Sequence, residues 1–195
     1  MAFSVGIQLV GFSYNGIRPV ADISVAPWSS GSSNQMMVIL HNIRSLHNVG
    51  SIFRTADAAG VDKLYLCGIT PAPVDRFGKV RPPLAKVALG AEKSVSWESC
   101  NQTNRLISKL RADGFKILAV EQDKRSVPLF NVWRINLQKL AVVVGNEVKG
   151  LPKSILNNCD LILEIPMAGK KESLNVAVSF GIVVFHLRSL CKNYS

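Results

Sequence analysis

Three polar segments of the chain, each placed directly after an apolar run, carry the residues that could do chemistry. They cover residues 42–56 (NIRSLHNVGSIFRTA), 144–152 (VGNEVKGLP) and 165–175 (IPMAGKKESLN). The apolar runs MMVIL, LAVVV and LILEI at these positions are typical of buried strands. Because ligands of open α/β sheets bind at the carboxyl ends of the strands, we expect the three segments to form one binding site.

The second segment predicts a tight turn that displays polar side chains. Gly145 ends the strand, and Gly150 and Pro152 restrict the connection, so that Glu147 is displayed between them. The segment does not match the phosphate-loop pattern GxxxxGK[ST], and the chain contains no GxGxxG sequence. Taken alone, the segment is therefore most simply interpreted as a turn.

The third segment predicts irregular backbone above an apolar wall. Pro166 stops the strand, and Ser173 is predicted to be the N-cap of the last helix. The backbone groups between them would be free to hold the edge of an adenine and the polar parts of a nucleoside. Ile165, Met167 and Leu174 would supply the apolar walls of that pocket.

The first segment predicts an amphipathic helix that presents Asn48, Ser51 and Arg54 on its polar side. The apolar side consists of Val49, Ile52, Phe53, Ala56 and Ala59. By itself, Arg54 is typical of a solvated surface arginine. Its place beside the other two segments makes it a candidate for function.

The elements that must position these segments alternate along the chain. Strands are predicted at 36–41, 63–68, 115–121, 139–145 and 161–166, and helices at about 48–59, 101–112, 152–158 and 173–190. A loop rich in proline and basic residues is expected up to about 83. The alternation predicts an α/β fold, with a mostly parallel sheet and helices on both faces.

Composition limits the domain organisation and the location of the protein. Residues 1–35 end in SSGSSNQ and are expected to form an arm with a flexible joint, ahead of a single domain over 36–195. The first residues make a poor signal peptide, and polar residues interrupt the apolar stretch at 174–190. We therefore expect a cytoplasmic protein with no membrane span.

The charge balance favours a polyanionic partner. The chain has 23 Lys and Arg against 13 Asp and Glu, a net charge of +10. Nucleic acid is the leading candidate, and a merely basic protein is the alternative. The exposed basic residues expected near the three segments and in the long loop are Arg76, Lys79, Arg81, Lys86, Lys149, Lys153, Lys170 and Lys171.

Neither a disulfide framework nor a metal site is indicated. The four cysteines are widely separated and form no CxxC pair, and the three histidines have no ligand spacing.

The last predicted helix is apolar on most of its sides, so it must lie between the sheet and another helix or be covered by a second subunit.

In their order along the chain, their spacing and their residues, the three segments resemble the motifs of the SpoU (TrmH-like) family of RNA ribose methyltransferases, within the SPOUT superfamily. The resemblance covers about residues 36–190 and departs from the family pattern at none of the motif positions. Those positions are Asn48 and Arg54 in NVGSIFRTA, Gly145 and Glu147 in VGNEVKGLP, and Ser173 and Asn175 in SLN.

The resemblance implies an enzyme that transfers a methyl group from S-adenosylmethionine to a ribose 2′-hydroxyl of RNA. It implies a trefoil knot near the C-terminus that forms the S-adenosylmethionine pocket. It also implies a homodimer, in which the arginine of the first motif completes the partner subunit's site. The cofactor would contact Gly145, Ile165, Met167 and Leu174, the pocket residues of the second and third segments.

The resemblance also implies roles for individual residues. Arg54 would activate or orient the hydroxyl, and Asn48 would hold Arg54 or the substrate. Glu147, Ser173 and Asn175 would arrange the site. Because a free arginine is too basic to act as an ordinary base, removal of the proton by a neutral arginine, a phosphate oxygen or water stays open.

The substrate is expected to be transfer RNA, with ribosomal RNA as the alternative. A non-catalytic RNA-binding or assembly protein that keeps the fold is a second hypothesis, which the complete set of motif residues disfavours. Methylation of a base is a third hypothesis, disfavoured for the same reason.

Overall fold

The computed structural model describes residues 34–132 and 138–191, which form a parallel sheet with helices on both faces. The strands are β1 Gln35–His41, β2 Lys63–Cys67, β3 Ser96–Cys100, β4 Lys116–Val120, β5 Val127–Pro128, β6 Lys139–Val144 and β7 Leu161–Glu164. The helices are α1 Leu46–Ala58, α2 Pro82–Ala88, α3 Ala91–Ser94, α4 Thr103–Ala112, α5 Lys153–Leu156 and α6 Val176–Cys191.

The seven described strands follow the order β3-β2-β1-β6-β4-β7-β5, and every pair is parallel. The predicted α/β class and parallel sheet are therefore confirmed. The carboxyl ends of β1, β4, β6 and β7 share one edge of the sheet, because parallel strands point the same way. The three polar segments follow β1, β6 and β7, so the sheet brings them to this edge.

The apolar runs are buried on both faces, as expected for central parallel strands. In β1, Val38 and Leu40 face a cluster that includes α1, α2 and α6, whereas Ile39 faces a second cluster with α4 and α5. In β6, Val142 and Val143 divide between the two faces in the same way. Two cores therefore sandwich the sheet.

Four elements were not predicted: α2, α3, β3 and β5. The strand β3 has the sequence SWESC and β5 has two residues, so neither has the apolar run by which the other strands were recognised. The start of α2 does carry a signal, since Pro82 and Pro83 occupy its first turn, where proline is favoured.

The predicted arm at 1–35 lies outside the described residues except for Asn34 and Gln35, and Gln35 begins β1. Among the described helices, none has both the length and the apolar character needed to cross a bilayer.

One close approach fixes α1 against α2. A Cβ atom added at Gly50 of α1 would lie 2.6 Å from the carbonyl oxygen of Leu84 and 3.0 Å from Cβ of Val87. Only glycine allows the two helices to come this close. The helix that carries Asn48 and Arg54 is thereby held against the segment that follows β2.

We predict that Gly50→Ala destabilises the protein by about 1–2 kcal/mol, because overpacking outweighs the better helix propensity of alanine. Gly181→Ala in α6 is the matched control, since its Cβ would meet only Cγ2 of Thr55, at 3.7 Å. The control should stabilise the protein by about 0.5–1 kcal/mol. Urea unfolding measures both changes, and shifts of the same sign would contradict the packing argument.

Candidate active site

The carboxylate of Glu147 joins the loop after β6 to the start of α1. It accepts hydrogen bonds from the backbone N–H of Arg44 at 3.2 Å and of Ser45 at 3.3 Å. It also accepts one from Nδ2 of Asn48, at 3.0 Å. A negative charge at this end of a helix is favoured by the helix dipole. The second polar segment is thus fastened to the first.

The side chain of Asn48 extends this network to the third segment. Its Oδ1 accepts a hydrogen bond from Nδ2 of Asn175 at 3.0 Å, across 127 positions of the sequence. Oδ1 of Asn175 accepts the N–H of Ala177 at 2.9 Å. In both side-chain amides, Nδ2 therefore donates one hydrogen bond and Oδ1 accepts one. Glu147, Asn48 and Asn175, predicted from three separate segments, form one chain of hydrogen bonds.

The predicted N-cap of the last helix is wrong. Helix α6 begins at Val176, and the side chain that accepts an N–H of its first turn belongs to Asn175 rather than Ser173. Both residue types are good caps. Asn175 is the residue next to the helix, and its Nδ2 also donates to Asn48.

The pKa of Glu147 is held below its ordinary value of 4.5. Partial burial would raise this pKa, but hydrogen bonds from backbone N–H groups and from Asn48 outweigh that effect. The carboxylate is therefore ionised at neutral pH, which is the state that its donors require.

A cleft of about 260 Å³ opens beside this network, between the ends of β4, β6 and β7 and the start of α6. Six of the residues predicted for the site line it: Gly145, Glu147, Ile165, Met167, Ser173 and Leu174. Three others do not line it: Asn48, Arg54 and Asn175. The predicted site residues therefore form two groups, six that line the cleft and three that lie outside its lining.

The cleft is acidic although the whole chain is basic. Its lining residues include Glu121, Glu147 and Glu164, and none of them is Lys or Arg. Acidic residues attract a positively charged ligand at short range, and the attraction is stronger where water is partly excluded from the cleft. The chemistry of the lining therefore suits a small positively charged ligand.

The loop between β7 and α6 supplies free hydrogen-bonding groups. Within the described part of the chain, no backbone N–H of residues 167–174 donates to a backbone carbonyl. The carbonyl of Glu172 is held by Nε2 of Gln122 at 2.6 Å. The loop is thus tied down at one point and offers N–H groups next to the apolar side chains of Ile165 and Met167.

Glu121, directly after β4, was not predicted. Its Oε2 accepts the N–H of Leu151 at 2.7 Å, and its Oε1 accepts the N–H of Gln122 at 2.9 Å. Gly150, at φ 62°, lies so close that a side chain there would clash with this carboxylate. The signal was available, since Glu121 is a polar residue at the carboxyl end of a predicted strand.

The turn after β6 is closely packed, as its glycines predicted. A Cβ at Gly145 would lie 2.8 Å from the carbonyl carbon of Gly150 and 2.9 Å from the backbone nitrogen of Leu151. Oδ1 of Asn146 accepts the N–H groups of Val148 and Lys149, both at 2.9 Å. These contacts leave no room for a side chain at Gly145 and close the turn around Asn146.

Arg54 is exposed on α1, on the polar side predicted for it. Among the residues that the structure describes, it has no hydrogen-bond or ion-pair partner. The amide of Asn48 is engaged by Glu147 and Asn175. The guanidinium of Arg54 is therefore available to a ligand or to another chain.

Over 34–132 and 138–191, no group of three or more His, Cys, Asp and Glu residues could hold a metal ion. Cys67, Cys100 and Cys159 are free thiols, and burial raises the pKa of Cys67 to about 12 and that of Cys159 to about 11. Thiols with such pKa values are poor nucleophiles.

Comparison with known proteins gives the same family from sequence and from structure. Residues 35–185 match the model of the SpoU rRNA Methylase family. A 23S rRNA (guanosine-2′-O-)-methyltransferase of Neisseria meningitidis is 32% identical over 158 residues, which is 80% of this chain and 59% of the relative. The chain spans less than two thirds of the first curated relatives that it matches, between 59% and 64% of their length.

Two solved structures share the fold. The A. aeolicus TrmH/SpoU tRNA modifying enzyme is 29% identical with a TM-score of 0.69, over 80% of this chain and 75% of that one. An AdoMet-bound rRNA methyltransferase from Sinorhizobium meliloti is 28% identical with a TM-score of 0.67, over 80% of this chain and 56% of that one.

We predict that Glu147→Gln lowers the free energy of unfolding by about 1 kcal/mol at neutral pH, a modest value because solvent screens this carboxylate. Because the pKa of Glu147 is lower in the folded chain than the ordinary 4.5, its contribution is present above that value. It is lost as the pH falls through the folded-state pKa.

The measurement is urea unfolding of wild type and variant over a series of pH values. The two stabilities should converge at acid pH. Glu172→Gln is the control, since that carboxylate makes no hydrogen bond within the described residues, and it should match wild type throughout. A pH-independent difference for Glu147→Gln would contradict the assignment.

Proposed function

This chain belongs to the SpoU methylase family, and from that premise we propose that it is an S-adenosylmethionine-dependent RNA methyltransferase acting on a ribose 2′-hydroxyl. The observation that carries the proposal is the hydrogen-bond chain from Glu147 through Asn48 to Asn175. It joins the three segments beside an acidic cleft.

The cleft suits S-adenosylmethionine in charge and in surface. The cofactor carries a sulfonium and an ammonium, and Glu121, Glu147 and Glu164 are among the residues that line the cleft. The apolar side chains of Ile165, Met167 and Leu174 would hold the adenine, and the free N–H groups of the loop would bind its edge or the cofactor's carboxylate. When bound, S-adenosylmethionine supplies a methyl carbon that bonds to the ribose oxygen as its bond to sulfur breaks, with the electron pair remaining on sulfur.

Glu147 positions the site and does not act as its base. Its carboxylate already accepts three hydrogen bonds and has a lowered pKa. A group of this kind has little tendency to take a proton. The same reasoning assigns Asn48 and Asn175 to positioning, because their amides are used to join the segments.

Arg54 is the residue that we assign to the RNA. A guanidinium has the planar geometry to bind a phosphate through two parallel hydrogen bonds. By gripping the phosphate next to the target ribose, Arg54 would hold the 2′-hydroxyl in line with the methyl carbon, and positioning of this kind supplies much of a rate enhancement. The hydroxyl proton would leave to a phosphate oxygen or to water.

We extend the proposal to a homodimer in which Arg54 completes the partner subunit's site. Helix α6 packs against α1 and the sheet on one side but leaves Val178 51% and Phe185 47% exposed on the other. Exposed Phe130 lies next to this apolar face, since its ring centre is 5.6 Å from that of His186 on the same helix. A second copy of the chain would cover it. Because Arg54 has no partner within 34–132 and 138–191 and does not line its own cleft, the dimer accounts for both observations.

The strand order supports the trefoil knot. Strand β6 lies between β1 and β4, and β7 lies between β4 and β5, so each enters a gap left by strands that precede it in sequence. A C-terminal segment that is inserted in this way is what a knot requires. The proposed methyltransferase domain covers 36–195 and would contain the knot, with 1–35 as an arm.

RNA is the proposed substrate class, and transfer RNA and ribosomal RNA are its two candidates. The relatives include a 23S rRNA methyltransferase and a tRNA modifying enzyme. We propose a cytoplasmic location, where thiols such as those of Cys67, Cys100 and Cys159 stay reduced.

We predict that Arg54→Ala slows methyl transfer by at least about 100-fold, because the target ribose is no longer positioned. Binding of S-adenosylmethionine should be unchanged. Gly145→Val should instead weaken cofactor binding by about tenfold, because the turn must open to admit the side chain. Arg105→Ala, at an exposed arginine of α4, is the control for lost charge.

The assays are methyl incorporation into unmodified tRNA and rRNA, mass spectrometry of the digested product, and calorimetry with S-adenosylmethionine. Substantial activity in Arg54→Ala would remove Arg54 from the mechanism. Wild-type protein that binds RNA without transferring a methyl group would favour the non-catalytic alternative. A methyl group found on the base would overturn the assignment to ribose.

We predict that a mixture of Arg54→Ala and Gly145→Val chains, refolded together, regains roughly a quarter of wild-type activity. In a mixed dimer, the intact cleft of the Arg54→Ala chain would receive Arg54 from its partner. With S-adenosylmethionine kept well below its dissociation constant for wild type, Arg54→Ala refolded alone should show at most about one hundredth of wild-type activity, and Gly145→Val alone about one tenth. If the mixture is also inactive while sedimentation shows mixed dimers, Arg54 serves its own subunit.

A further inference from the structure

Residues 74–80, between β2 and α2, form a small closed hairpin that the proposed mechanism does not use. Val74 and Val80 pair as an antiparallel bridge. The N–H of Asp75 donates to the carbonyl of Lys79 at 2.9 Å. Oδ1 of Asp75 accepts the N–H groups of Phe77 and Lys79, both at 2.9 Å. We call this segment the 74–80 hairpin.

The tip of the 74–80 hairpin exposes an aromatic ring beside positive charge. Phe77 is 79% exposed, far more than a phenylalanine in a core. The guanidinium carbon of Arg76 lies 4.7 Å from the centre of the Phe77 ring, and Lys79 is exposed two residues further on. The one acidic residue of the hairpin, Asp75, spends its Oδ1 on closing the turn.

The hairpin is also fixed to the rest of the site. The N–H of Arg81 donates to the carbonyl of Pro73 at 2.9 Å, which closes the base of the hairpin just before α2. Helix α2 in turn lies against α1 at the glycine contact between Gly50 and Leu84. The exposed ring is therefore carried by the helix pair that presents Arg54.

We propose that the 74–80 hairpin is an RNA contact that stacks Phe77 on an unpaired base while Arg76 and Lys79 bind the flanking phosphates. An exposed aromatic ring offers a face to any base, and nearby cations neutralise the backbone. Arg76 already occupies one face of the ring, and its charge strengthens binding there. The inference rests on the proposed function, since it names where the RNA substrate of that reaction is held.

The hairpin selects single-stranded RNA over a duplex. Bases in a duplex are stacked on one another and offer no free face, whereas unpaired bases of a loop do. The ring of Phe77 carries no polar atom, and every base has a face that can stack on it, so the stacking does not distinguish one base from another. The contact therefore favours unpaired nucleotides without specifying their sequence.

The test measures the affinity of the full chain for a fluorescein-labelled single-stranded RNA oligonucleotide of mixed sequence and for the same strand in a duplex. Phe77→Ala should weaken single-strand binding by roughly 5- to 150-fold, and Phe77→Tyr should stay within about twofold of wild type. Leu89→Ala is the matched control, because Leu89 is 67% exposed but lies outside the hairpin. It should leave the affinity unchanged.

Salt dependence separates the two parts of the contact. Arg76→Gln should reduce the slope of log affinity against log salt concentration by roughly 0.7, the value for one phosphate of a single strand. Phe77→Ala should leave that slope unchanged, because stacking releases no counterion. An equal loss of slope in both variants would overturn the division of roles.

Several outcomes would overturn the inference. They are unchanged single-strand affinity in Phe77→Ala, a larger loss for the duplex, or wild-type protein that does not bind the single strand. A change in sedimentation of Phe77→Ala without a change in RNA affinity would assign the ring to a protein contact instead. Failure of the proposed function is distinguishable, because it would show as wild-type protein that neither binds S-adenosylmethionine nor transfers methyl groups.

Discussion

A single ionised carboxylate at the start of α1 holds the site together. Glu147 faces two backbone N–H groups and one amide, and that amide reaches Asn175 from the far end of the domain. Each bond contributes only about 1 kcal/mol, so the network cannot assemble the segments by itself. The parallel sheet brings their ends to one edge, and the carboxylate then selects one arrangement of them. Protonation would remove the charge on which all three donors converge.

The positions of the site segments could be predicted from sequence because they depend on local patterns. The runs MMVIL, LAVVV and LILEI are long enough to be recognised as strands, and in a parallel sheet their carboxyl ends must meet. The strands SWESC and Val127–Pro128 carry no such pattern, because edge positions do not demand apolar residues. Their pairing is decided by neighbours distant in sequence, which no local pattern reports.

The choice between Ser173 and Asn175 as helix cap shows the same limit at the level of one residue. Both side chains could accept an N–H, so propensity does not separate them. What distinguishes Asn175 is its hydrogen bond to Asn48, 127 positions away, which no local pattern reports. Glu121 and Phe77 show two different reasons for a missed residue. Glu121 follows β4, and applying to every strand the rule that polar residues at strand carboxyl ends line the site would have found it.

The exposure of Phe77 at the hairpin tip could be found only from the structure, since a phenylalanine in the sequence is most simply interpreted as a core residue.

The strand order has a consequence for how the protein is made. Strand β1 pairs with β6, and β4 pairs with both β6 and β7, so these partners are absent until the ribosome has made the chain beyond Lys139. Until then β1 and β4 carry unpaired edges that can pair with another chain. Contacts this distant in sequence also slow folding. During biosynthesis the protein therefore passes through an intermediate with open strand edges, which stays prone to aggregation until β6 and β7 have been made.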